Sequence, residues 1–446
     1  MFRKRESMKT PIVAVVGRPN VGKSTFFNKV VGKRISIVKD EPGVTRDRIY
    51  ADAEWLSHKF LLVDTGGIDI QDTTEVSKNI FAQVQIAVDV ADVIIMLVDG
   101  KQGITAGDRE VATYLKKSKK PIVLAVNKLD NNETEATYEF YSLGLGEPFA
   151  ISSEHSSGVG DLLDKVVSFF GDDGEETQDT DTIKIAIVGK PNAGKSSITN
   201  RILGQNRMVV SSVAGTTRDA IDTPFEYAGK NCVLIDTAVI RRKRSIELES
   251  IESYSVLRAI EAIRRCDVAV IVLDASQKLS EQDVRIAGLV HEQKKPSVVV
   301  INKWDLVEKN QHTMDFYKSQ LDEDLKFMSY YVPVFVSAKT GQRVDDIMQK
   351  VLEVFQNASR QTSTSILNEI LQDAVSLSQP PSRYGKRIKF FFISQNGTNP
   401  PKFVIQTNES KLVHYSYQRY LENCLRRNIQ LSGTPIEIVF KDKKED

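Results

Sequence analysis

The chain has 446 residues, of which 41% are hydrophobic and 27% charged, enough apolar material for about three packed domains. Its 60 basic residues face 59 acidic ones, so the overall charge points to no partner. Cys232, Cys266 and Cys424 are scattered, which excludes a disulfide scaffold or a cysteine metal centre and suits a reducing compartment. No apolar run approaches the roughly 20 residues of a membrane helix. The basic N-terminus meets Gly17 and Arg18 too soon for a signal peptide, so the expected location is cytoplasmic.

Along the chain, apolar residues 12–16 predict a buried strand, followed at once by Gly17, Arg18, Pro19, Asn20, Val21, Gly22, Lys23, Ser24 and Thr25. A glycine-bounded loop between a strand and a helix turns its N–H groups inward around phosphates. There Lys23 reaches the β- and γ-phosphates and the Ser24 hydroxyl suits Mg²⁺. Residues 60–63 predict a second strand that runs into Asp64, Thr65, Gly66 and Gly67, with Asp64 placed as the acidic metal ligand. Between them Thr45 is placed to complete the metal shell while its backbone senses the γ-phosphate. Residues 93–98 and 122–126 predict two more strands, the latter ending in Asn127, Lys128 and Asp130. The Asp130 carboxylate suits the two donors of a guanine edge, where adenine would leave it unpaired. Lys128 can cover the base plane, and Ser152 opens a loop to support the base.

The chain then repeats itself. After an acidic linker at residues 171–182, the same series returns, 172 positions later as far as Asp236 and three residues further on by Asn302. It comprises Gly189, Lys190, Pro191, Asn192, Ala193, Gly194, Lys195, Ser196 and Ser197, then Thr217, then Asp236, Thr237, Ala238 and Val239. Asn302, Lys303, Asp305 and Ser337 complete it, with Lys195, Ser196, Thr217 and Asp236 in the phosphate and metal roles. Strands are expected at 183–188, 233–235, 268–273 and 297–301. Continuous apolar strands alternating with helical stretches imply a mostly parallel sheet covered on both faces. The expected organisation is a first GTPase domain over 9–170 and a second over 183–357. A separate α+β domain follows over 358–446, with strands at 390–393, 403–406 and 436–440 and helices at 364–376 and 417–427. That last segment carries 13 Lys/Arg against 8 Asp/Glu, a net of +5. Arg383, Lys386, Arg387 and Lys389, and Arg419, Arg426 and Arg427, are candidate phosphate contacts.

Together these motifs resemble the P-loop GTPases, and two copies with a small third domain resemble the tandem-G-domain ribosome-assembly family called Der or EngA. The resemblance covers nearly the whole chain. It implies GTP hydrolysis, GTP or GDP with Mg²⁺ as ligands, a KH-like third domain, and nucleotide-dependent docking on the large ribosomal subunit and its rRNA, the chain itself being a monomer off the particle. The third domain has no Gly-x-x-Gly loop, which argues against ordinary single-strand reading. Neither copy carries the water-orienting Gln of Ras-type enzymes; Ile68 and Ile240 stand there. Related GTPases use K⁺ held by a P-loop Asn, which implies catalytic roles for Asn20 and Asn192. The second copy has Val239 where the first has Gly67, so its switch is expected to be stiffer. The alternative reading is a GTP-sensing RNA-binding scaffold whose second domain hydrolyses poorly. A basic run at residues 240–244 offers a nucleotide-gated contact.

Overall fold

The computed structural model describes residues 11–32, 50–67, 84–85, 87–129, 134–170, 182–205, 222–235, 252–308, 310, 312–382 and 385–443. The chain forms two compact units, one comprising Met1–Asp179 and Lys243–Arg264, the other Thr180–Arg242 and Arg265–Asp446.

The first unit is built on a six-stranded sheet of β1 (Ile12–Val16), β2 (Tyr50–Trp55), β3 (His58–Asp64), β4 (Val93–Asp99), β5 (Ile122–Asn127) and β6 (Pro148–Ala150), in the order β2-β3-β1-β4-β5-β6. All neighbours run parallel except β2 against β3. Every residue of β1 and β4 is buried, as expected for strands covered on both faces. On either side of β1 the strand order reverses direction, which opens a crevice at the carboxyl ends of the strands. Helix α1 (Lys23–Gly32) starts in that crevice, while α2 (Ala106–Lys116) and α3 (Val159–Val167) follow β4 and β6. α2 begins with a capping box in which Thr105 and Asp108 satisfy each other's backbone N–H groups.

The second unit repeats the plan with β7 (Thr182–Val188), β8 (Thr223–Tyr227), β9 (Lys230–Ile235), β10 (Val268–Asp274), β11 (Ser297–Asn302) and β12 (Pro333–Phe335). Their order is β12-β11-β10-β7-β9-β8, with only β8 antiparallel to its neighbour. Helix α4 (Lys195–Gln205) matches α1, and α6 (Glu281–Glu292) repeats the capping box of α2 with Ser280 and Asp283; the helix between them in sequence, α5 (Glu252–Arg265), falls with the first unit up to Arg264.

In the same unit a three-stranded sheet, β13 (Phe390–Gly397), β14 (Lys402–Thr407) and β15 (Glu437–Asp442), has β13 antiparallel and β15 parallel to β14. Its core, centred on Phe403, Ile405, Leu367 and Leu421, is separate from that of the second six-stranded sheet. It joins that G domain through backbone bonds. The Ser297 N–H donates to the Gly433 carbonyl (2.8 Å), the Gly433 N–H to Tyr330 (2.7 Å) and the Asn399 N–H to Ala358 (3.0 Å). Arg426 lies over the Tyr330 ring, 5.0 Å from its centroid, and donates to the Thr434 carbonyl at 2.9 Å. All three cysteines are buried thiols, and burial pushes Cys232 up to about 12, so it packs as a small inert hydrophobe. Among the described residues no helix is long and apolar enough to cross a membrane.

Gly433 sits at the tightest point of this junction. Its φ is +70°, and a Cβ there would lie 2.2 Å from Val354 Cγ2 and 3.0 Å from the Ser297 carbonyl oxygen. Gly433→Ala is therefore expected to cost about 1–3 kcal/mol, from overpacking and a left-handed backbone. Chemical denaturation of the full chain checks this; an unchanged midpoint for every transition would contradict it.

Candidate nucleotide sites

Each site gathers at the carboxyl ends of the parallel strands. In the first unit the P-loop leaves β1 at Gly17 and enters α1 at Lys23. A side chain at Gly17 is impossible, because its Cβ would stand 2.3 Å from the Leu97 carbonyl oxygen of β4. The Lys23 ammonium is buried and donates to the carbonyls of Gly17 (2.7 Å) and Arg18 (2.9 Å), which closes the loop on itself. Lys195 does the same with Gly189 (2.8 Å) and Lys190 (2.9 Å). Asn20 and Asn192 both hold left-handed backbone, φ +65° and +61°, a conformation asparagine tolerates better than most residues.

The metal-ligand candidates of the first copy meet. The exposed Ser24 hydroxyl donates to Asp64 Oδ2 at 2.7 Å, and Asp64 Oδ1 accepts from the Gly66 N–H at 2.9 Å. A hydroxyl beside one carboxylate is a hard oxygen donor pair of the kind Mg²⁺ takes together with phosphate oxygens and water. No cluster of three or more His, Cys, Asp or Glu residues that could cage a metal exists among the described residues. The Thr65 hydroxyl is turned away, to the Val15 carbonyl at 2.8 Å, and braces β3 on β1. Ser196 and Ser197 are exposed at the start of α4, matching Ser24 and Thr25. Thr45, Ile68, Asp130, Thr217, Asp236, Thr237, Ala238, Val239, Ile240 and the rest of the run to residue 244 lie outside the described residues.

The base-reading strand ties the two halves of each site. Asn127 Nδ2 donates to the Val21 carbonyl in the P-loop (2.8 Å), and its Oδ1 accepts from the Ser153 N–H and hydroxyl, both at 2.9 Å. Asn302 donates to the Ala193 carbonyl at 2.9 Å and accepts from the Ala338 N–H at 3.0 Å. Gly22 and Gly194 make room for these amides, since a Cβ would come within 2.4 and 2.0 Å of their nitrogens. Lys128 Nζ donates to the Asn20 carbonyl and to Asp99 Oδ2, each at 2.7 Å, and Lys303 pairs with Asp274 at 2.6 Å. Burial pushes the Asp99 carboxyl up, but the bond from Lys128, the Gln102 and Lys101 N–H groups and the Lys128 charge more than offset it. The net position is below the ordinary carboxylate range. Asp274 is held low in the same way by Lys303 and Ser276.

Ser153, Ala338, Asp99 and Asp274 were not among the residues expected at the site. Ser152 and Ser337 were, and they form small β-bridges to Ser157 and Gln342. The two aspartates were legible, since each ends an apolar strand as Asp64 does, directly across the ladder from Asn127 or Asn302. Of the third domain's basic residues, Arg426 is spent internally on Glu422, Thr434 and Tyr330. Lys386 pairs with Glu409, whereas Lys389, Arg419 and Arg427 are exposed. Arg383 lies outside the described residues.

Two phosphate loops, each clamped by an Asn-Lys base motif, define a tandem P-loop GTP-binding protein and GTPase. The family model described as "50S ribosome-binding GTPase" matches residues 12–128 and 184–303. Residues 361–441 match the model of the KH-domain-like C-terminal region of EngA bacterial GTPase enzymes. The chain is 51% identical to GTPase Der of Clostridium kluyveri, over 98% of this chain and 100% of that one. With GTPase Der of Acetivibrio thermocellus the figure is 52%, again over 98% and 100%. Among solved structures, Era with MgGDPNP and a 16S ribosomal RNA segment is 21% identical with a TM-score of 0.30, covering 59% of this chain and 93% of that one. The chain belongs to the Der (EngA) family of GTPases.

Burial lowers the Lys23 ammonium below its ordinary 10.5, against a partial lift from Asp64. Phosphate oxygens favour the charged form, so the lysine's pKa is higher with nucleotide bound than without. Between those two values binding takes up a proton, and GDP affinity at the first site is expected to fall as pH rises through the alkaline range. Titration calorimetry in buffers of different ionisation enthalpy reads that uptake directly. A buffer-independent enthalpy with constant affinity over the window would contradict it.

Proposed function

We propose that the chain uses GTP binding and hydrolysis at its two sites to control docking on the large ribosomal subunit during maturation, with contacts to rRNA. The observation that carries this reading is the shared backbone junction between the second G domain and the KH-like domain. A nucleotide-dependent change at the second site thereby acts on the basic third domain. The name of the matching family model, a 50S ribosome-binding GTPase, supports the choice of partner. Co-sedimentation of the full chain with isolated subunits in GTP, GDP or a non-hydrolysable analogue tests it. Association with the large subunit that depends on the nucleotide is expected. Equal pelleting in all three states, or preference for the small subunit, overturns it.

In hydrolysis, water attacks the γ-phosphorus, the bond to the β-phosphate oxygen breaks, and GDP leaves with inorganic phosphate. Gly22, Lys23, Gly194 and Lys195 hold the transferring oxygens by loop N–H groups and ammonium charge. Ser24, Thr45 and Asp64 in the first copy, and Ser196, Thr217 and Asp236 in the second, would hold Mg²⁺, which would supply positive charge against the negative charge that develops in the reaction. With Ile68 and Ile240 in place of a Gln, Asn20 and Asn192 would hold K⁺, which would supply the positive charge that an arginine finger gives elsewhere. The left-handed backbone at both positions is a competing reason for asparagine there, and a cation comparison separates the two. Turnover is expected to be higher in K⁺ than in Na⁺ at equal ionic strength. Equal rates would leave the asparagines a purely conformational role.

A further inference from the structure

In both copies the second P-loop residue is a cation whose charge is turned away from the phosphates, into the protein. Arg18 Nε stands 3.4 Å from Asp108 Oδ2, and Lys190 Nζ stands 2.9 Å from Asp283 Oδ2. The side chains of Asp108 and Asp283 are only 1% and 2% exposed. Each aspartate is also the N3 residue of a capping box. Asp108 Oδ2 accepts from the Thr105 N–H (3.0 Å) and hydroxyl (2.7 Å), and Asp283 Oδ2 accepts from the Ser280 N–H (2.9 Å) and hydroxyl (2.7 Å). A capping box needs no P-loop cation, and a cation serving solubility has no reason to lie against a buried carboxylate. The same arrangement occurs twice in one chain with different cations, so the tether is electrostatic rather than a particular guanidinium geometry.

The loop is held from its other side as well. Asn127 and Asn302 hold the carbonyls of Val21 and Ala193, and Lys128 holds that of Asn20. Arg18 and Lys190 are themselves the residues whose carbonyls accept from Lys23 and Lys195. The peptide units after Arg18 and Lys190 end on Pro19 and Pro191 and offer no N–H. With the loop held at its start through Arg18 or Lys190 and on its far side through Val21 or Ala193, the path of the segment between them is fixed. We propose that Arg18–Asp108 and Lys190–Asp283 are positioning pairs that lock the P-loop to the capped starts of α2 and α6 and thereby pre-form the β-phosphate cradle.

The first site is read alone in an Asp305→Asn background, where the second no longer accepts a guanine edge. There Arg18→Met is expected to release GDP about tenfold faster, equivalent to about 1.4 kcal/mol. Asp108→Asn should match it, and the double variant should be no worse than either single one. Arg18→Lys should restore the parent rate, since the second copy works with lysine. GMP, which lacks the β-phosphate, should bind the variants and the parent alike. If Asp108→Asn does not fold, Arg18→Met still carries the test, because Thr105 remains capped. Unchanged GDP release in Arg18→Met, equal weakening of GDP and GMP, or failure of Arg18→Lys to restore binding overturns the proposal.

Discussion

The nucleotide sites depend on one side-chain amide per domain, Asn127 in the first and Asn302 in the second. Each amide ends a buried parallel strand and lies between the phosphate loop and the base loop. Its nitrogen holds the phosphate loop and its oxygen holds the base loop. Both groups are buried, so an unfilled half would cost the full desolvation of an amide atom, about 1–3 kcal/mol. The strand order fixes this placement. β5 and β11 stand two strands from the P-loop strand, across β4 or β10, and only their carboxyl ends reach over the crevice. Phosphate and base recognition are thus mechanically one assembly.

That assembly explains which parts of the protein were legible in the sequence. The strands that carry it, β1, β4, β5, β7, β10 and β11, are apolar runs, interrupted by Lys184 in β7, and their expected and observed limits differ by a residue or so. The edge strands β2 and β8 were not anticipated, because an edge strand half open to solvent alternates polar and apolar residues and carries no continuous run. β6 and β12 span three residues each, too short for periodicity to register. The motif residues were readable because phosphate and guanine chemistry demands particular side chains at particular loop positions. Ser153 and Ala338 were not, because they act through a backbone N–H that any residue supplies.

Charge in the third domain was legible as a total but not by residue. The net excess of basic side chains does not distinguish a phosphate contact from a structural cation. Arg426 lies in a basic last turn of the helix Tyr415–Asn428, where it complements the helix dipole. It is used there to stack on Tyr330 and to hold two loop carbonyls. Sequence spacing cannot reveal this, since the partner ring belongs to another domain nearly a hundred positions earlier. The result is that the KH-like fold and the second G domain share polar as well as backbone contacts.

The two G domains, alike in plan, differ in the chemistry of their clamps. The first Asn amide accepts two donors from Ser153, the second only one from Ala338, a difference on the scale of one net hydrogen bond, about 0.5–1.5 kcal/mol. Asp99 receives Lys128 from a lysine that also grips the P-loop carbonyl of Asn20, whereas Asp274 adds the Ser276 hydroxyl to its bond from Lys303. In both copies the aspartate also accepts from the loop after its strand, Asp99 from the Lys101 and Gln102 N–H groups and Asp274 from the Ser276 N–H and hydroxyl. The first clamp therefore stands out by the bond from Lys128 to the P-loop. In the second unit that same sheet also anchors the third domain, through Ser297 at the start of β11. One strand thus begins at the domain junction and ends at the guanine motif. A displacement of either end is transmitted along a buried, fully hydrogen-bonded element rather than through a loop.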